Sequence, residues 1–68
     1  MSNYVEISKV ERKVFNRVSD RIKEDTELYA GVTVYYDGTS LYGTLRFESA
    51  QTSLLKKSLQ ILTEEFCG

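Results

Sequence analysis

The stretch from Leu28 to Phe47 constrains the fold more than any other part of the chain, because it has the pattern of a β-hairpin. Apolar and polar residues alternate on both sides of Asp37-Gly38-Thr39-Ser40. Asp-Gly is a common hairpin turn, and the flanking residues are rich in β-branched and aromatic side chains. The pattern therefore predicts strands over 28–36 and 41–48.

The alternation also predicts which side chains share a face of this hairpin. If Tyr36 pairs with Leu41, the aliphatic residues lie on one face, and Tyr35 lies opposite Tyr42 on the other face. Tyrosine and arginine are enriched at protein interfaces. We therefore predict that the second face binds a partner protein through Tyr29, Tyr35, Tyr42 and Arg46. The same tyrosines could instead stack on nucleotide bases, or simply cover a half-exposed sheet.

Helical patterns flank the hairpin. Ser8 and Glu11 have the spacing of a capping box and predict a helix over 8–25, with an apolar stripe at every fourth position. A second apolar stripe predicts a helix over 49–66. Residues 1–7 fit either a lead-in or a short strand. The expected fold class is α+β in the order helix–strand–strand–helix, a small single domain spanning 1–68 with a two-stranded antiparallel sheet.

The short length of the chain favours self-association. A chain of 68 residues has a small core, and domains of this size often depend on disulfides, a metal or a partner subunit. Cys67 is the only cysteine and there is no histidine, so an internal disulfide is excluded and a zinc site is disfavoured. Pairing two hairpins edge to edge would also cover the bare sheet edges. We therefore expect a homo-oligomer, with a dimer favoured.

The residue inventory disfavours catalysis. Histidine, the commonest general acid–base group at neutral pH, is absent, and Cys67 has no imidazole partner. We therefore expect no enzymatic activity, no catalytic residues, no cofactor and no metal. The sequence contains no apolar run of membrane-spanning length and no signal-peptide pattern. The unpaired cysteine suits a reducing compartment, so the expected localisation is cytoplasmic.

The charge distribution supports a second hypothesis of nucleic-acid binding. The net charge is −1, but residues 1–24 hold six basic and four acidic side chains. The basic side chains on the predicted first helix could contact phosphates. The interspersed acids make a solvated, charge-mixed face the more common interpretation. The candidate nucleic-acid contacts are Lys9, Arg12, Lys13 and Arg17.

Two short resemblances accompany these patterns. Residues 38–45, Gly-Thr-Ser-Leu-Tyr-Gly-Thr-Leu, resemble the second-strand signature of Sm-like, Hfq-type RNA-binding proteins, which implies a ring that binds RNA. We carry over no RNA-contacting residues, because 49–68 reads as a helix where that family has further strands. The predicted element order and the Lys56-Lys57 pair are similar to small head–tail joining proteins of tailed phages.

Together, these patterns predict a small, non-enzymatic protein-interaction module, such as an adaptor, an inhibitor, another regulator or an assembly factor. The predicted working surface comprises the tyrosine-rich sheet face and the sheet edges. The alternative is an RNA- or DNA-binding regulator, of which an Sm-like protein would be one form.

Overall fold

The structure, a computed structural model, describes residues 3–38 and 41–67; residues 39 and 40 of the predicted turn lie outside that part. Across the described residues, three helices pack with one antiparallel three-stranded sheet of order β1-β3-β2. The α+β class is confirmed, but the predicted order and the two-stranded sheet are not what the chain forms. The elements are β1 (Asn3–Glu11), α1 (Arg12–Glu24), α2 (Thr26–Gly31), β2 (Thr33–Asp37), β3 (Tyr42–Ser49) and α3 (Thr52–Cys67).

Strand β3 is the centre of the sheet because it has apolar partners on both sides. Leu45 lies opposite Ile7 of β1 and opposite Tyr36 of β2. Leu45 and Phe47 have no exposed surface and face the layer formed by the helices. Of the two alternatives for residues 1–7, Asn3–Ile7 adopt the strand.

A β-bulge divides β1. Ile7 pairs with Leu45 and Val10 pairs with Gly43, so β1 advances by three residues while β3 advances by two. Lys9, inside the bulge, has a φ of 58°, the left-handed region that L side chains rarely adopt. The bulge returns Val10 to the core face, where it is fully buried.

The predicted helix over 8–25 begins too early. Helix α1 starts at Arg12, and both members of the predicted capping box, Ser8 and Glu11, lie in β1. Strand pairing extends through Glu11, and the Arg12 amide donates to the Leu41 carbonyl at 2.9 Å. These long-range hydrogen bonds replace the local cap. The apolar stripe itself is buried as expected, through Val14, Val18 and Ile22.

The predicted strand over 28–36 is helical in its first part. The Asp25 carboxylate accepts hydrogen bonds from the amides of Glu27 (3.0 Å) and Leu28 (3.2 Å), which caps α2. Leu28 and Val32 are four residues apart, so the spacing that suits one face of a strand also suits one face of a helix. Both side chains are buried.

The hairpin forms, but in a different register. Tyr36 pairs with Leu45 instead of Leu41, a shift of four residues that preserves the two faces because four is an even number. On the other edge of β3, Val10 of β1 pairs with Gly43. The Tyr36 hydroxyl also donates to the Val10 carbonyl at 2.8 Å. Contacts with β1 therefore set a register that the turn residues alone do not specify.

Helix α3 begins later than the predicted 49–66 helix. Ser49 ends β3, donates to the Gly31 carbonyl at 2.6 Å and accepts from the Gln51 amide at 3.1 Å. The helix starts at Thr52 and buries Leu54, Leu55, Ser58 and Leu62.

An ion-pair cluster connects helix α3 to helix α1. Arg21 contacts Glu64 at 2.7 Å and Glu65 at 3.3 Å. The hydrogen bond that Arg21 donates to the Glu64 carboxylate is the main reason that the pKa of Arg21 lies above its ordinary value. Exposed pairs of this kind add little to stability, so the buried apolar side chains of α1 and α3 contribute more to the packing of the two helices.

This architecture departs from both short resemblances. The Sm-like signature implied further strands after β3, but the described residues there form α3. The likeness to head–tail joining proteins was based on a helix–hairpin–helix order, whereas this chain places β1 before α1 and α2 before β2.

Candidate protein-binding face

Helices α1 and α3 cover one side of the sheet, and the opposite side, here called the open face, carries polar and aromatic residues. The register places alternate residues of all three strands on it. The open face comprises Tyr4, Glu6 and Glu11 of β1, Tyr42, Thr44, Arg46 and Glu48 of β3, and Thr33, Tyr35 and Asp37 of β2.

No helix among the described residues is long and apolar enough to cross a membrane.

Arg46 lies at the centre of the open face. Its guanidinium carbon lies 4.2 Å from the ring centroid of Tyr4 and 6.0 Å from that of Tyr35, so neighbours on both outer strands flank the cation. One terminal nitrogen contacts the Glu48 carboxylate at 3.2 Å. Arg46 Nε is buried and has no hydrogen-bond partner among the described residues. Arg46 is therefore held mainly by aromatic contact and by a single carboxylate.

The tyrosines of the open face are exposed, unlike the tyrosine on the opposite side of the sheet. Tyr4, Tyr35 and Tyr42 have exposed fractions of 58%, 50% and 54%. Tyr36 instead stacks on Phe15 with ring centroids 4.4 Å apart. The first three tyrosines thus offer ring surface and hydroxyl groups to a partner, whereas Tyr36 stabilises the fold.

The structure brings together three of the four residues that the sequence predicts to bind a partner. Tyr35, Tyr42 and Arg46 share the open face, although Tyr35 lies opposite Arg46 instead of Tyr42. Tyr29 is not on this face, because residue 29 belongs to α2; its side chain is 66% exposed beside a shallow groove between α1 and β2. The prediction for Tyr29 as part of one tyrosine face is therefore wrong.

Sequence reasoning missed the contribution of β1. Tyr4 and Glu6 lie on the open face because Val5 and Ile7 point to the core. The signal was the alternation of these four residues, which is typical of a half-buried strand. It was too short to distinguish a strand from a lead-in, because the pairing partner lies far along the chain.

Arg12, one of the four candidate nucleic-acid contacts, is engaged within the protein. Its Nη2 donates to the Gly38 carbonyl at 2.8 Å, and its guanidinium carbon lies 5.3 Å from the centroid of the Tyr36 ring. Arg12 therefore connects the start of α1 to the hairpin loop. A phosphate would compete with these contacts.

The other three candidate nucleic-acid contacts do not share one helix face. Lys9 lies in the bulge of β1, and Lys13 pairs with Glu11 at 3.5 Å. Arg17 is exposed on α1. Lys13 and Arg17 are four residues apart on α1, but Lys9 lies outside the helix and Lys13 already has an acidic partner, so the four predicted contacts do not form one basic helix face.

The open face carries aromatic, hydroxyl, carboxylate and guanidinium groups. Within residues 3–38 and 41–67, no group of three or more His, Cys, Asp or Glu side chains is arranged to hold a metal ion. The groove around Arg46 is lined by Glu6, Tyr35, Asp37, Thr44 and Glu48. These side chains can stack, donate and accept hydrogen bonds, and form ion pairs.

Comparisons of this chain with protein-family models, with curated proteins and with solved structures find no match.

Proposed function

We propose that this protein is a small, non-enzymatic protein-interaction module whose binding surface is the open face. The observation that carries the proposal is the placement of half-exposed Tyr4 and Tyr35 beside Arg46, with half-exposed Tyr42 farther along the same sheet face, which the helices leave uncovered. Tyrosine and arginine provide large contact areas and are the residues most enriched at interface hot spots. An adaptor, an inhibitor or an assembly factor would use the face in this way.

The support for this proposal is both geometric and chemical. The open face belongs to three hydrogen-bonded strands, so the backbone that carries its side chains is already fixed before a partner binds. The aromatic contacts at Arg46 further restrict the central side chain. Binding therefore requires little additional conformational ordering.

The alternative of nucleic-acid binding has less support. Arg12 and Lys13 have partners within the protein, and the aromatic residues that could stack on bases lie next to Glu6 and Glu48. Carboxylates beside a stacking platform repel the phosphate backbone. The proposal therefore assigns the open face to a protein.

The proposal includes self-association through β2. The two outer strands of the sheet are β1 and β2, and β1 is interrupted by its bulge. Pairing β2 with β2 of a second copy about a two-fold axis at Tyr35 would place Thr33 opposite Asp37, with no like charges opposed. The two open faces would then form one continuous surface. Native mass spectrometry should detect a dimer, and a stable monomer at all concentrations would contradict this part of the proposal.

The test of the binding face uses two matched variants. The double variant Tyr35→Ser and Tyr42→Ser removes two rings from the open face, whereas Tyr29→Ser removes one equally exposed ring from α2. Each variant and the wild type are immobilised, and the proteins that they retain from the source cells are quantified. We expect the double variant to lose proteins that the wild type and Tyr29→Ser both retain.

Circular dichroism must first show that the variants are folded, which we expect because the substituted side chains are exposed. Equal retention by the wild type and the folded double variant would refute the assignment of the open face as the binding surface. Loss of the same proteins on Tyr29→Ser would instead move the binding surface to the groove beside α2.

A further inference from the structure

We propose that the partner of the open face is a cationic protein segment, an extended stretch rich in arginine and lysine. This inference rests on the proposed function and specifies the chemistry of the partner. It is carried by the distribution of charge around Arg46, which the tyrosine pattern alone does not reveal.

The groove at the centre of the open face is acidic. Its lining includes the three carboxylates of Glu6, Asp37 and Glu48 and the one guanidinium of Arg46, which leaves a local charge of −2. The carboxylates come from all three strands. A partner that crosses the strands would therefore pass a carboxylate on each of them, with Arg46 as the one cation in the groove, and charge complementarity favours basic side chains.

The single cation in the groove is already engaged. Arg46 contacts Glu48 at 3.2 Å and lies 4.2 Å from the centroid of the Tyr4 ring. An anionic partner would have to displace Glu48 and approach two further carboxylates. A cationic partner can use Glu6 and Asp37, which are both exposed and for which the described residues show no ion pair.

The exposed tyrosines add a second attraction for cations. Tyr35 and Tyr42 are half-exposed, and each has ring surface available. Guanidinium and ammonium groups bind aromatic faces, as Arg46 itself does with Tyr4. Alternating rings and carboxylates on a sheet surface match an extended segment whose basic side chains recur on one side.

The experiment titrates the isotope-labelled, full-length protein with three short capped peptides and follows the backbone amide resonances. In the first peptide Arg and Lys alternate with Val, in the second Glu and Asp replace the basic residues, and in the third Ser and Thr replace them. We expect the cationic peptide to bind about tenfold or more tightly than its anionic twin at low salt, since several exposed ion pairs change sign. The largest shifts should fall on residues of the open face.

A matched pair of variants tests whether the carboxylates cause the preference. Glu6→Gln with Asp37→Asn removes two charges from the open face and leaves the Arg46–Glu48 contact in place. Asp20→Asn with Glu24→Gln removes the same number of charges from exposed positions on α1. We expect the first pair to lose most of the preference for the cationic peptide and the second pair to keep it.

Other outcomes overturn the inference in distinguishable ways. Equal binding of all three peptides to the open face would reject the cationic partner and leave the protein-binding function standing. Tighter binding of the anionic peptide, or shifts confined to α1, would show that the basic side chains are the recognition surface. If no peptide shifts any resonance, the cationic segment is rejected, and the tyrosine variants described above decide the proposed function separately.

Discussion

Tyr36 offers a direct test of the structure, because its side chain connects three elements. Its hydroxyl donates to the Val10 carbonyl of β1 at 2.8 Å, and its ring stacks on Phe15 of α1 with an interplanar angle of 12°. The adjacent Tyr35 is half-exposed on the open face. Replacing each tyrosine by phenylalanine removes the same atom from two different environments.

The expected costs follow from these contacts. Tyr36→Phe removes one partly buried hydrogen bond to Val10, which corresponds to about 0.5–1.5 kcal/mol of unfolding free energy. Tyr36→Leu also removes the stack on Phe15, which contributes about 0.5–1.5 kcal/mol more. In a domain of this size each kcal/mol lowers Tm by about 4–8 °C. Tyr35→Phe should change the unfolding free energy by less than about 0.5 kcal/mol.

The assay is thermal and urea unfolding followed by circular dichroism, with all variants at one protein concentration because self-association would shift Tm. We expect the stability order wild type, Tyr35→Phe, Tyr36→Phe, Tyr36→Leu, with the first two close together. If Tyr36→Phe and Tyr35→Phe unfold at the same temperature, the hydrogen bond from the Tyr36 hydroxyl to the Val10 carbonyl does not hold the hairpin register, and the reasoning is refuted.

Three further predictions concern the bulge, the hairpin and the basic side chains. Gly43→Ala should destabilise the protein by about 1–3 kcal/mol, since the added carbon would lie 2.7 Å from Cζ of Tyr36. Urea unfolding measures the lost stability. An unchanged urea midpoint would contradict the close packing of Gly43 and Tyr36. Lys9→Gly should be more stable than Ser8→Gly by about 1 kcal/mol of unfolding free energy, and so unfold at a higher temperature, because of the two residues only Lys9 has a positive φ. The reverse order of unfolding temperatures would argue against the bulge. Fluorescence anisotropy should show no salt-sensitive binding of a single-stranded oligouridylate, and Arg17→Ala should give the same result as the wild type. Binding that falls steeply with added salt, and that is lost in Arg17→Ala, would revive the nucleic-acid hypothesis.

Some side chains of the open face can be grouped from the sequence alone, whereas others can be grouped only from the structure. Tyr35, Tyr42 and Arg46 share a face in any hairpin whose register shifts by an even number, so alternation alone predicts their grouping. Tyr4 and Glu6 join them only because β1 pairs with β3. The acidic character of the groove therefore becomes visible only with the third strand in place.

By itself, the sequence determined the α+β class, the two strands around the Asp37-Gly38 turn and the buried stripe of α1. These features follow from periodicity and turn chemistry, which act between residues close in the chain. The tertiary structure decided the rest. Residues 8–11 have a helical cap pattern but extend β1, because the backbone of Glu11 pairs with Tyr42. Leu28 and Val32 fit a strand or a helix equally well, and the Asp25 cap selects the helix.

The hairpin register was likewise decided by the tertiary structure and not by the sequence pattern. The turn residues permit several registers with identical faces, and the alternation of side chains does not distinguish between them. The observed register places Tyr36 over Gly43 and within hydrogen-bond distance of Val10. Residues 10 and 36 are far apart in the chain, so a local pattern carries no information about their contact. The strand pairing that completes the open face is therefore a property of the folded chain, although each of its side chains is present in the sequence.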